Sequence, residues 1–104
     1  MVNKTNLDKI LSNFILALQE IKITINQMYL FGSYANNTEE EYSDIDVAIV
    51  SKDFQGIRFY DIEKIIDVFL KIDNHIEAHP FALEDFTPDN PFAKEIMETG
   101  KRII

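Results

Sequence analysis

Apolar residues recur at helical spacing in the first stretch of the chain. Leu7, Ile10, Leu11, Phe14, Ile15, Leu18 and Ile21 share one side, with Lys9, Asn13, Gln19 and Glu20 on the other. This pattern predicts an amphipathic helix, and Thr5 and Asp8 stand where the two halves of a capping box would. From Ile25 to Phe31 β-branched and aromatic residues mix and stop at Gly32, while Asp44 to Val50 alternates and then becomes continuously apolar, so both segments read as strands. Between them, Asn36-Asn37-Thr38-Glu39-Glu40-Glu41 has the composition of a solvated loop or short helix at the rim of a site.

After Ser51-Lys52-Asp53 and a loop holding Gly56, a second helical series runs through Ile57, Phe59, Ile62, Ile65, Ile66, Phe69 and Leu70. Asp61, Glu63, Lys64 and Lys71 are expected on its outer face, with the helix starting near Phe59. Asn74 breaks the period. His75 to Phe81 then alternates as a third strand, and Pro80 within it predicts an edge position or a strand end. Glu84 and Asp85 have the character of a turn or cap before Phe86. Pro88 and Pro91 punctuate the next stretch, Phe92, Ile96 and Met97 predict a short helix closing at Gly100, and Arg102-Ile103-Ile104 is left as a tail or a partner-facing strand.

Helix, strand, loop, strand, helix, strand, helix is the order of a small α/β (α+β) domain, a mixed sheet with helices packed on one face. Side chains alternate across a strand. Ile45, Val47, Ile49, Ile76 and Ala78 are therefore expected toward the helices, and Asp44, Asp46, Glu77 and His79 on the opposite, open face.

Composition narrows the chemistry. The 104 residues, 46% of them hydrophobic, suffice for one compact domain, expected over 1–104. A balance of 18 acidic against 10 basic residues, net charge −8, argues against gripping duplex DNA or RNA by its phosphates. A metal–nucleotide or a basic protein partner fits better. The absence of cysteine excludes a disulfide framework and a thiolate zinc site. No signal peptide and no run of membrane-spanning length is visible, so a cytoplasmic location is expected.

Gly32 ends a strand where the backbone must turn and where a phosphate can approach without meeting a Cβ, and Ser33 adds a hydroxyl and an amide. Gly-Ser pairs alone are ordinary turn residues. Here the pair is followed, after ten residues, by Asp44-Ile45-Asp46 at the start of the next strand, so that three functional groups converge on one sheet edge. Asp44 and Asp46 also have a plain reading as a turn residue and a solvent-facing strand residue. Asp is disfavoured in strands, however, and Asp46 stands directly among Ile45, Val47, Ala48, Ile49 and Val50, which favours a use for it. Two neighbouring carboxylates repel, and a hard divalent cation such as Mg²⁺ removes the repulsion. Glu77, on the next strand with the same parity, is the candidate third carboxylate. Glu84 and Asp85 are alternatives, His75 and His79 could tune the site by charge, and Tyr34 could stack on a base or simply pack at the rim.

Gly32-Ser33, ten residues, then Asp44-Ile45-Asp46 resembles the signature of the polymerase-β-like nucleotidyltransferase superfamily, and in particular its minimal nucleotidyltransferase (MNT) domain proteins. The likeness extends over the strands Met28 to Phe31 and Val47 to Val50, the helix after them, and Ile76 to Phe81. It implies the nucleotidyltransferase fold. It also implies that Gly32 and Ser33 bind the triphosphate of ATP, that Asp44 and Asp46 ligate Mg²⁺, and that Glu77 stands where the family carries its third acid, often an Asp. MNT proteins of this kind are often antitoxins paired with HEPN-type toxins, some of which they silence by transferring AMP to a toxin tyrosine. A HEPN-type toxin is accordingly the expected partner, in a hetero- or homo-oligomer, without membrane or duplex nucleic acid. Two other functions stay open: an antitoxin that inhibits by stoichiometric binding without turnover, and a transferase acting on a small acceptor.

Overall fold

The computed structural model describes residues 4–32, 44–72 and 75–104, with side chains from Leu7 onward. The elements are α1 (Lys4–Glu20), β1 (Gln27–Phe31), β2 (Ile45–Ser51), α2 (Arg58–Ile72), β3 (Ile76–Ala82), α3 (Pro91–Thr99) and β4 (Lys101–Arg102), with a 3₁₀ turn at Leu83–Asp85. They form a mixed sheet in the order β3-β2-β1-β4. β1 is antiparallel to both β2 and β4, while β2 and β3 are parallel and joined through α2. Pro80 therefore lies in an edge strand, where the missing N–H costs no ladder bond on the open side.

Among the described residues, no helix is long and apolar enough to cross a membrane.

α1 buries Leu7, Leu11, Phe14 and Leu18, spaced by three or four residues, against the Met28, Val47 and Ile49 face of the sheet. It begins at Lys4, ahead of Thr5, whose expected cap side chain lies outside the described residues. Its end is a Schellman motif. The Ile23 amide reaches Leu18 O at 3.0 Å, the Lys22 amide reaches Gln19 O at 3.0 Å, and Lys22 adopts φ 65° where glycine is usual. This turn also swings Ile21 out of the apolar series, leaving it 43% exposed.

α2 differs from its expected orientation. Its buried stripe is Asp61, Ile65 and Val68, whereas Phe59, Ile66 and Leu70 face outward. Asp61, expected on the outer face, is fully buried because its carboxylate accepts the Gln55 amide at 2.8 Å and the Gly56 amide at 2.9 Å. These two donors belong to the loop that enters the helix, so the side chain folds back to satisfy them.

Packing on one face holds for α1 and α2 but not for α3. Ala93 and Ile96 of α3, with Phe86, cover Ala48, Val50 and Phe81 on the other face of the sheet. Asn90 caps α3 by accepting from Phe92 N at 3.0 Å and Ala93 N at 3.4 Å, Pro91 opens its first turn, and Gly100 closes it. The chain then returns as β4. Arg102 pairs with Tyr29 and Lys101 with Leu30, and Ile103 N donates to Met28 O at 2.7 Å. The expected tail or partner-facing strand is thus an edge strand of the protein's own sheet.

Candidate active site

The second face of the sheet is covered at one end by α3 and Phe86 and, among the described residues, left open at the other. β2 and β3 run parallel with Asp46 opposite Glu77 and Ala48 opposite His79, and antiparallel β1 brings Phe31 opposite Asp46. The end of β1 and the beginnings of β2 and β3 therefore meet at one edge, as the alternation of side chains requires. One ligand atom each from Asp46, Glu77 and His79 lies within 4.8 Å of the others.

His79 Nε2 stands 3.5 Å from Asp46 Oδ1 and 3.8 Å from Glu77 Oε1, too far for good hydrogen bonds. It is buried and has no hydrogen-bond partner among the described residues. The ring is held by aromatic neighbours, with centroids 5.0 Å from Phe31 and 5.7 Å from Phe92, both roughly edge to face. The side chain of Glu77 is half exposed and that of Asp46 largely covered. Burial pushes the Asp46 carboxyl above the usual aspartate range, His79 pulls it back, and the charges of Glu77 and Asp44 push it up again.

Gly32 is fixed by this arrangement. It has φ +73°, and a Cβ at that position would collide with Asp46 Oδ2. The expected glycine is thus needed both for the turn and for the carboxylate that lies against it.

Of the expected site residues, the structure brings together Asp46 and Glu77, with Gly32 against Asp46. Asp44 is exposed just before β2 and does not join the group of close ligand atoms, although Asp46 feels its charge. Ser33, Tyr34 and the loop Asn36–Glu41 lie outside the described residues. Glu84 and Asp85, the alternative acids, form the 3₁₀ turn before Phe86, and Asp85 O accepts from Asn90 Nδ2 at 3.0 Å. His79 is more central than its sequence reading as a tuning charge. The signal for it was already present: a histidine two residues after Glu77 shares that residue's face. Phe92, which helps to hold the His79 ring, carried no such signal.

A pair of carboxylates with an adjacent imidazole nitrogen and a glycine turn can hold a divalent cation beside a phosphate. The buried Nε2, which has no close hydrogen bond among the described residues, and the crowded acids fit a cation better than they fit a simple surface cluster.

Residues 13–104 match the family described as "Polymerase beta, Nucleotidyltransferase". No curated protein sequence matches the chain. Among solved structures it is similar to a toxin-antitoxin crystallised with AMP-PNP, at 22% identity over 89% of this chain and 71% of that one, TM-score 0.66. It is similar also to a mutant of the toxin-antitoxin MntA-HpeT, at 19% identity over 89% of this chain and 71% of that one, TM-score 0.64. At these identities the likeness is one of fold, a mixed α/β nucleotidyltransferase fold.

Proposed function

Because the chain belongs to the polymerase β nucleotidyltransferase family, we propose that it is a Mg²⁺-dependent adenylyltransferase, the antitoxin of a HEPN-type toxin whose tyrosine hydroxyl it modifies with AMP from ATP. The observation that carries the reading is the convergence of Asp46, Glu77 and His79 within 4.8 Å at the open sheet end. The similarity to a toxin-antitoxin crystallised with AMP-PNP supports both the nucleotide and the kind of partner.

In this reading Asp46 and Glu77 hold Mg²⁺, with Asp44 alongside, and Gly32 and Ser33 receive the triphosphate. When bound, the cation supplies charge neutralisation for the α-phosphate and the departing pyrophosphate. Gly32 leaves the Asp46 carboxylate room at the turn. Glu77, the more exposed acid, takes the proton of the tyrosine hydroxyl on its carboxylate as the tyrosine oxygen attacks the α-phosphorus. The bond from the α-phosphorus to the bridging oxygen breaks, and pyrophosphate leaves with the bonding pair. Phe31 and Phe92 pack against the His79 ring and hold it beside the acids. The net charge of −8 suits a basic acceptor protein.

The test is transfer of labelled AMP from ATP to the co-expressed partner. Label on a partner tyrosine, lost in Asp44→Asn with Asp46→Asn and lost again in Glu77→Gln but retained in Asp85→Asn, is the expected result. Full neutralisation of the partner by the double aspartate variant, with no label, would replace the reading with inhibition by stoichiometric binding.

A further inference from the structure

We infer that His79 Nε2 is itself a ligand of the metal, so that the centre has a mixed nitrogen and oxygen donor set and selects Mn²⁺ or a similar transition-metal ion over Mg²⁺. The inference deepens the metal-dependent reading of the site and rests on it. Alternation along β3 puts Glu77 and His79 on one face, and Ala48, opposite His79 in the register, has no side chain beyond Cβ to separate the imidazole from Asp46.

Phe31 and Phe92 fix the ring so that Nε2, rather than an apolar edge, faces the two carboxylates. A buried ring nitrogen whose nearest acceptors stand at 3.5 and 3.8 Å, without a close hydrogen bond, carries a desolvation cost that a bound metal would offset. In the neutral tautomer with the proton on Nδ1, Nε2 presents a lone pair, the form in which histidine binds metals.

The spacing suits an ion. With metal–donor bonds of about 2.1–2.2 Å, neighbouring donors of an octahedral ion lie about 3 Å apart and opposite donors about 4.3 Å apart. The Nε2 distances of 3.5 and 3.8 Å fall between these limits, and all three donor atoms lie within 4.8 Å of one another, so the group is compact enough to close on one ion. Mg²⁺ takes oxygen donors and keeps its waters, whereas imidazole favours later divalent ions. One nitrogen among the ligands is therefore expected to alter the order of affinities without altering the carboxylates that bind either ion.

The direct test is electron spin-echo envelope modulation on the full chain loaded with Mn²⁺, a readout independent of turnover. The expected spectrum shows ¹⁴N modulation from a directly bound imidazole, and the modulation disappears in His79→Gln. In titrations monitored by the free Mn²⁺ signal, His79→Gln weakens Mn²⁺ about tenfold or more and Mg²⁺, measured by competition, much less. His79→Asp, with oxygen donors alone, moves the preference toward Mg²⁺. The wild-type spectrum decides the matter even if a variant loosens the aromatic packing. Mn²⁺ held in an Asp46-dependent site without ¹⁴N modulation overturns this inference and leaves the proposed function standing. Failure of both Mn²⁺ and Mg²⁺ to bind, with or without ATP, overturns both.

Discussion

The two ends of β2 treat acidic side chains in opposite ways. At the C-terminal end the chain turns through Ser51 and Asp53 toward α2, and its polar groups are paired. Asp53 N donates to Ser51 Oγ at 3.0 Å, Asp53 Oδ2 accepts from Thr24 N at 2.7 Å, and Lys64 Nζ donates to Asp53 O at 2.7 Å. Asp61, though fully buried, accepts two backbone amides. At the N-terminal end, burial and the charges of Glu77 and Asp44 push Asp46 toward its neutral form against the pull of His79, whose Nε2 faces it at 3.5 Å, too long for a good hydrogen bond. The first end spends its carboxylates on stability. The second crowds two carboxylates and a buried imidazole nitrogen that has no close hydrogen bond among the described residues, the kind of arrangement found at binding and catalytic sites.

Replacing Asp61 gives the largest effect on the satisfied end. Asp61→Ala leaves the part-buried Gln55 and Gly56 amides without their acceptor and a void at a fully buried position, and should cost about 2 kcal/mol or more in denaturant unfolding. A loss below about 1 kcal/mol would mean that the end is less committed to stability than its geometry indicates.

Gly32→Ala should be next. A left-handed backbone without glycine costs roughly 1–2 kcal/mol, and the new Cβ displaces the Asp46 carboxylate, so cation affinity should fall more steeply than stability. Parallel thermal melts and cation titrations separate the two losses.

Asp46→Asn should act in the opposite sense, raising the melting temperature of the ion-free protein. The raised carboxyl sets the pH dependence. As pH rises, the unfolded chain releases this proton before the folded one does, so the contribution of Asp46 to stability declines through that interval and stays low above the folded pKa. Urea midpoints of the wild type relative to Asp46→Asn, taken across mildly acid pH, should show the difference widening in favour of the variant as pH rises.

Asp53 gives the smallest effect and the opposite slope. The Thr24 backbone amide holds its carboxyl below the usual aspartate range, so its contribution is present above the unfolded pKa and lost as pH falls through the folded one. The group is exposed and solvent-screened, and Asp53→Asn should shift the melt only slightly, with the shift vanishing in acid.

Much of this contrast was legible in the sequence at one end and little at the other. Alternation along β2 and β3 was enough to put Asp46 and Glu77 on one face, and Gly32 before a strand break was enough to mark the turn beside them, because strand parity is a local property. Asp61 looked like any polar residue on an amphipathic helix. Its burial depends on amides in the preceding loop, which leave no trace in helical periodicity, and it turns the Phe59, Ile66 and Leu70 stripe outward instead. The placement of α3 on the second face and the pairing of β4 with β1 are likewise tertiary outcomes, decided by Ala93 and Ile96 packing on Val50 and Phe81 and by a free edge of β1. His79 was visible as a residue of the right parity, but only the flanking Phe31 and Phe92 rings show that its nitrogen is aimed at the acids.

If the N-terminal end of β2 is kept unsatisfied for a divalent cation, the ion must reverse the order of stability between the wild type and Asp46→Asn. Thermal melts of the two proteins, without and with saturating Mn²⁺ or Mg²⁺, show this directly. The variant should melt higher without the ion and the wild type higher with it, since only the wild type gains binding free energy. Equal shifts in both proteins, or none in either, would contradict a cation site at Asp46.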